Sequence, residues 1–256
     1  MLLAVDIGNT NILFGIFNND ELILKARLKT DSSRTFEQYA LEIKGICDMN
    51  SITLDNITAS ILSSVVPDVT GLIKNAIRFL TGHIPSDIKK DIETGLQINI
   101  DNPTQLGADF IACAVGAINQ YSYPCLIADL GTATKISIID ENGAFIGAII
   151  TAGVGISLSA LSGSASLLPK IDIDVKNCPP FGTNTVTSMQ AGIIHGTASM
   201  LDGMCDRIED ALGKNVNNVI VTGGLAKNIS SYCKREVSYE PDLILYGLKA
   251  IYKNNQ

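Results

Sequence analysis

Short apolar runs closed by polar turns alternate along this chain with longer stretches in which apolar residues recur every three or four positions. The first short run, Leu2-Leu3-Ala4-Val5, ends in Asp6-Ile7-Gly8-Asn9-Thr10-Asn11, and a second, Leu126-Ile127-Ala128, ends in Asp129-Leu130-Gly131-Thr132-Ala133-Thr134. Each predicts a buried strand running into an Asp-x-Gly turn. In both places the chain continues as an apolar run, turns at a polar cluster (Asn18-Asn19-Asp20 and Glu141-Asn142-Gly143) and returns as another apolar run, which predicts a hairpin. Nearly half of the 256 residues separate the two copies, the spacing of an internal duplication.

The longer periods predict helices. Thr35-Phe36-Glu37-Gln38 has the form of a capping box, and Phe36, Tyr39, Ala40, Ile43 and Ile46 follow at helical spacing. Residues 59–66 read as a buried strand stopped by Pro67, and residues 68–81 as a helix closed by Gly82. Residues 85–101 predict short strands and loops, leading through Asn102-Pro103-Thr104-Gln105-Leu106-Gly107-Ala108-Asp109 to an apolar helix over 110–119. The Gly, Ser and Ala content of 151–166 favours close helix packing or a mobile connection, ended by Pro169. Residues 185–208 predict a long helix with Gly192 and Gly196 on one face. The strand Asn218-Val219-Ile220-Val221-Thr222 runs into Gly223-Gly224, a turn whose backbone can pass close to a ligand. The order is mixed α/β, and the repeat divides the chain into domains at 1–119 and 120–256, with the boundary near 119–123.

Composition narrows the chemistry. At 46% hydrophobic residues the chain can bury a substantial core, and a net charge of −7 argues against nucleic acid or anionic lipid as a partner. No run is long enough for a membrane span, and the apolar N-terminus reaches Asp6 too soon for a signal peptide, so a cytoplasmic protein is expected. Six scattered cysteines without a Cys-x-x-Cys pair predict buried thiols rather than zinc ligands or disulfides. Of the two histidines, His83 falls in a loop and His195 in an apolar helix, where a packed role is expected.

At an Asp-x-Gly turn, glycine allows close backbone approach, Asn and Thr side chains and amides can hold phosphate oxygens, and the aspartate can organise a cation or water. A pair of such turns suits a nucleotide held between two lobes. In order along the chain, these turns stand with Ser63-Ser64-Val65-Val66-Pro67, Asp101-Asn102-Pro103, Gly107-Ala108-Asp109, Asn184-Thr185-Val186, Met189-Gln190-Ala191-Gly192 and Val221-Thr222-Gly223-Gly224-Leu225-Ala226. Together they resemble the acetate and sugar kinase, heat-shock chaperone and actin superfamily, with its two ribonuclease H-like domains, and within it the type III pantothenate kinases, also labelled Bvg accessory factors. The resemblance implies ATP-dependent phosphorylation of pantothenate, the first step toward coenzyme A. It implies that Asp6, Ile7, Gly8, Asn9, Thr10, Asn11, Ile12 and Leu13 cradle ATP, with Asp6 acting on Mg²⁺ through water, and that Thr132 contacts ATP from the other lobe. Asp129 corresponds to a ligand of a monovalent cation, K⁺ or NH₄⁺. Gly107, Ala108, Asp109, Phe110 and Thr185 correspond to the pantothenate pocket, completed across a homodimer, with Asp109 as the catalytic base.

Local readings stand beside these. Asp109 is also an acid in the first turn of a helix, where the macrodipole favours it; Thr185 also reads as an N-cap; Asp129 also reads as a brace of its turn. The chain departs from the family pattern as well. Phe110 stands where Arg is usual, Ile100 where an aromatic is usual, and Thr183 where many members have Lys, while residues 162–168 carry no basic side chain. Lys135, at a usually neutral position, is expected to return one positive charge. These departures keep two alternatives open: a non-catalytic nucleotide-binding or transcriptional regulatory homologue, and a kinase of another small alcohol.

Overall fold

A computed structural model describes residues 1–88, 92–173 and 176–256. In chain order the elements are β1 (Leu2–Ile7), β2 (Asn11–Asn18), β3 (Glu21–Lys29), α1 (Phe36–Met49), β4 (Ala59–Ser64), α2 (Pro67–Thr81), β5 (Ser86–Asp87), α3 (Ala108–Gln120), β6 (Cys125–Leu130), β7 (Ala133–Ile139), β8 (Phe145–Ala152), α4 (Val154–Ser164), α5 (Thr185–Leu212), β9 (Asn218–Thr222), α6 (Ala226–Ser230), β10 (Ser238–Tyr239) and α7 (Leu243–Asn254). Within the expected loop region 85–101, positions 89–91 lie outside the described residues.

The strands form two five-stranded mixed sheets, β3-β2-β1-β4-β5 and β8-β7-β6-β9-β10. In each, the central strand pairs antiparallel with the next in sequence, that one antiparallel with the third, and the fourth and fifth run parallel to the centre. The expected duplication is therefore a duplication of topology. Asp6 and Asp129 each occupy the fifth position of a six-residue central strand.

The packing groups into two compact units, one of residues 1–96, 101–119 and 243–256, the other of 97–100 and 120–242. In the first, alternation along the strands serves two cores, as a pleated sheet covered on both faces requires. Leu3, Val5 and Ile7 join Tyr39, Ile43 and Cys47 of α1 and Val69, Ile73 and Ile77 of α2. The intervening Leu2 and Ala4, with Phe17 and Ile61, meet Ala112 and Val115 of α3 and Leu245, Leu248 and Ile251 of α7. The capping box of α1 forms as expected, Thr35 and Gln38 each serving the other's backbone N–H, and Gly82 closes α2 in the left-handed region at φ 80°.

In the second unit Leu126, Ala128, Leu130 and Ile136 pack against Ile194, Ala198, Leu201 and Cys205 of α5 and Ile229 of α6. Helix α5 runs beyond the expected end to Leu212, where Gly213 stops it. The small residues of 151–166 form α4, of which only Val154 is buried, and a Cβ at Gly155, Gly163, Gly192 or Gly196 would meet nothing within 4 Å. Of the two expectations for 151–166, close helix packing or a mobile connection, the segment forms a helix whose glycines at 155 and 163 leave open space around them. All six cysteines are free thiols and five are buried, burial pushing the Cys125 thiol up to about 12. His195 packs edge-on against Tyr232, with Nε2 3.0 Å from the Cys178 carbonyl, the structural role expected. No described helix is long and apolar enough to cross a membrane.

Candidate active site

In the first unit the β1–β2 turn is tight. The Gly8 N–H donates to the Asn11 carbonyl at 3.0 Å, and a Cβ on Gly8 would sit 3.1 Å from that oxygen. Thr30 fastens the turn from β3's end, its Oγ1 donating to the Gly8 carbonyl at 2.6 Å and its N–H to the Thr10 carbonyl at 3.1 Å. This leaves Asn9, Thr10 and Asn11 exposed at the tip, while Ile7 and Ile12 are core residues at 0% and 1% exposure. Of the residues expected to cradle phosphates, these two offer backbone only. Asp6 lies opposite Leu13 on β2 and Ser63 on β4, and Ser63 Oγ donates to its Oδ1 at 2.8 Å.

Asp109 is in the first turn of α3. The Phe110 N–H donates to Asp109 Oδ1 at 2.9 Å, which fixes the direction of the carboxylate. Gly107 clears its seat, because a Cβ there would lie 2.5 Å from Oδ1. Phe110 itself is buried, so this position contributes an amide to Asp109 and a ring to packing. A single 3₁₀ turn, Pro103–Gln105 with Asn102 at its N-cap position, precedes this site.

In the second unit the equivalent turn follows Asp129, with Gly131 N–H donating to the Ala133 carbonyl at 3.2 Å and Thr132 exposed. Asp129 lies opposite Lys135 on β7 and Thr222 on β9. Its Oδ2 is 2.8 Å from Lys135 Nζ, and the two side chains are 21% and 16% exposed. Gly223, at φ 98°, passes directly behind: a Cβ there would come within 2.6 Å of Asp129 Oδ1. That approach leaves no room for a side chain at Gly223, while a Cβ on Gly224 would meet nothing within 4 Å. Gly153, ahead of α4, lies against the Thr132 and Gly131 carbonyls with no room for a side chain. Thr185 is exposed and is the first residue of α5; the cap is Asn184, whose side chain accepts from Thr187 N–H while Thr187 Oγ1 serves the Asn184 N–H.

Thus the structure gathers Asp6 to Leu13 into one turn, 107–110 into one helix mouth, and Asp129 and Thr132 into a second turn. Residues 2–207 match the sequence profile of the type III pantothenate kinases. The chain belongs to the type III pantothenate kinase family. A type III pantothenate kinase of Agathobacter rectalis is 36% identical over 253 residues, covering 99% of this chain and 97% of its own. That of Halalkalibacterium halodurans is 38% identical over 255 residues, covering the whole of both. Among solved structures, a Campylobacter jejuni protein described as a Baf family transcriptional activator superimposes with a TM-score of 0.60 at 20% identity, covering 99% of this chain and 98% of that one. A ROK hexokinase from Thermus thermophilus does so at 0.51 and 14%, covering 100% and 99%. Both share the fold.

Against the type III pantothenate kinase pattern, sequence reasoning missed three partners. Ser63 lies in a motif of the family but gains its role only through the parallel register of β1 with β4. Thr30 anchors the first turn from across a hairpin. The ion pair of Lys135 with Asp129 needs the antiparallel register of β6 with β7, for which the sequence signal was a charge three residues past Gly131-Thr132.

Proposed function

We propose that this protein transfers the γ-phosphoryl group of ATP to the primary hydroxyl of pantothenate, giving 4'-phosphopantothenate at the entry to coenzyme A synthesis. The observation that carries this reading is Asp109, in the family's Gly-Ala-Asp sequence, with Oδ1 held by the Phe110 N–H and its seat cleared by Gly107. A carboxylate so oriented takes the hydroxyl proton as the oxygen attacks phosphorus and ADP departs. The exposed Asn9, Thr10 and Asn11, on a turn braced by Thr30, receive phosphate oxygens, and Thr132 contacts ATP from the second Asp-x-Gly turn. Gly107, Ala108 and Thr185 contact pantothenate.

Asp6 fits a magnesium ion carried by the nucleotide. Ser63 orients its carboxylate, and no group of three or more His, Cys, Asp or Glu side chains suited to a metal occurs among the described residues. A carboxylate outside any such group suits an ion that keeps its waters and binds mainly to phosphate. Mg²⁺ held there would neutralise phosphate charge. The monovalent cation that the resemblance carries to Asp129 does not fit in the same way, since Lys135 already meets that carboxylate.

Pantothenate pockets of this family are completed across a homodimer, and we extend this to the present chain. The exposure of Ile156, Leu161, Phe181 and Val186 on and before α4 and α5 supports it. We place the protein in the cytoplasm, a location with which the lack of a membrane-spanning helix among the described residues is consistent. The test is ADP release by the purified protein with Mg²⁺, ATP and pantothenate, with the phosphorylated product identified by mass. Asp109→Asn is expected to lower kcat by about 10²- to 10⁴-fold while nucleotide affinity is retained. Nucleotide binding without pantothenate-dependent turnover would overturn the reading in favour of a regulatory homologue or another alcohol as acceptor.

A further inference from the structure

The two Asp-x-Gly frames share their strand position but differ in turn length and in charge. Each aspartate sits at the fifth position of its central strand, with a hydroxyl residue in register on the parallel side, Ser63 or Thr222. On the antiparallel side the residue in register with Asp6 is Leu13 and the one in register with Asp129 is Lys135. The first unit, whose turn is one residue longer, places an apolar residue in this register position and no cation.

Residues directly opposite on antiparallel strands present their side chains to one face, which delivers the Lys135 ammonium to Asp129 Oδ2 at 2.8 Å. With both side chains largely covered, the pair is poorly screened by salt. On the other oxygen, the Gly223 backbone stands so close that even a methyl group would meet Oδ1 at 2.6 Å. A second cation at this carboxylate would have to share it with an ammonium, and like charges at such range repel.

We propose that the Lys135 ammonium takes the place of the monovalent cation, so that this enzyme carries its own fixed positive charge beside the nucleotide and has no requirement for K⁺ or NH₄⁺. A tethered ammonium is present at every turnover and loses no freedom on each binding event, as a diffusible ion does. The inference rests on the kinase reading for its bearing on turnover, but its test by nucleotide binding does not.

The experiment is calorimetric titration of Mg·ADP and of a non-hydrolysable Mg·ATP analogue at fixed ionic strength, in tetramethylammonium, Na⁺, K⁺ and NH₄⁺ salts. It uses the wild type, Lys135→Met, which keeps most of the aliphatic stem, and Lys135→Met with Asp129→Asn. Wild-type affinity is expected to be the same in all four salts within about twofold, whereas Lys135→Met loses about tenfold in tetramethylammonium and recovers in K⁺ or NH₄⁺. The double variant, lacking the carboxylate, is expected not to recover. Thermal unfolding shows that each variant is folded, and if Lys135→Met is not, the salt series on the wild type still decides. A wild-type affinity raised several-fold by K⁺ overturns the proposal. So does a folded Lys135→Met that binds like wild type in every salt, which makes the pair a structural brace, or one that is weak in every salt. Pantothenate-dependent turnover in the same salts is read separately. If it is absent while the binding pattern holds, the kinase reading fails and the role of Lys135 in nucleotide binding stands.

Discussion

At the scale of single residues, the seat of Asp109 is set by what Gly107 lacks. A Cβ at that position would stand 2.5 Å from Oδ1, so Gly107→Ala forces the carboxylate to turn away from the Phe110 amide that now holds it. Because positioning is much of phosphoryl transfer, kcat is expected to fall roughly 10- to 100-fold, with little change in melting temperature or in nucleotide affinity. Steady-state kinetics beside thermal unfolding checks this, and an unchanged kcat would mean that Asp109 needs no fixed direction. Asp109 is legible in the sequence because its triplet is contiguous. The partners of Ser63 and Lys135 are not, since each is acquired only when strands pair, and a shift of register by one would send either side chain to the opposite face. The burial of Phe110 is likewise a property of the helix it joins, invisible in a pattern that marks only the loss of an arginine.

At the scale of elements, α3 is positioned by α7 through glycines on both helices. A Cβ on Gly247 would come 1.8 Å from the Ala112 carbonyl oxygen, and one on Gly116 would come 2.4 Å from the Leu243 carbonyl. Both obstacles are backbone, so no side-chain rotation relieves them. Gly247→Ala is expected to cost about 1–3 kcal/mol as the helices part, and to lower turnover further because α3 carries Asp109 at its mouth. Denaturant unfolding measures the first effect and kcat the second; Gly71→Ala, in a helix where the added methyl meets nothing within 4 Å, is the control. In the second unit α5 holds the segment after α6 by charge: Glu209 and Asp206 accept from Arg235, and Asp202 accepts the Lys234 and Arg235 amides. The Arg235 guanidinium holds the Glu209 carboxyl below its ordinary value of 4.5. Its folded-state value being lowered, the contribution is complete above 4.5 and is lost as the pH falls through the folded value. Glu209→Gln is therefore expected to cost about 1.5–3 kcal/mol near neutrality, shrinking toward zero in acid; a difference independent of pH would remove the ion pair from the explanation. Asp206, 68% exposed, adds little. Helices with strong period and local caps, such as α1, are legible from sequence, whereas a helix crossing set by two glycines far apart in the chain is not.

At the scale of the whole molecule, the duplication that divides the sequence once between 119 and 120 leaves the closing helix on the far side of the cut. Helix α7 packs with residues 1–96 and 101–119. There Leu245, Leu248 and Ile251 are fully buried against Leu2, Ala4, Phe17, Ile61, Ala112 and Val115, so α7 covers one face of the first sheet together with α3. Each such side chain contributes roughly 1.5–3 kcal/mol by leaving water, and with Leu243, also fully buried, the four approach the roughly 5–15 kcal/mol that separates a domain from its unfolded chain. A fragment of residues 1–119 is therefore expected to lack a cooperative thermal transition, and the same fragment joined through a flexible linker to 243–256 is expected to regain one. Circular dichroism during heating distinguishes the two. The full chain cut back to 242 completes the set, since it retains every site residue named above and yet is expected to lose the face on which α3, and with it Asp109, is held. Cooperative unfolding of 1–119 alone, at a stability close to that of the linked fragment, would mean that β1 to α3 suffice and that α7 is an ornament on a domain already closed; failure of the linked fragment would mean that residues 97–100, which pack with the other unit, are also needed at their native end points.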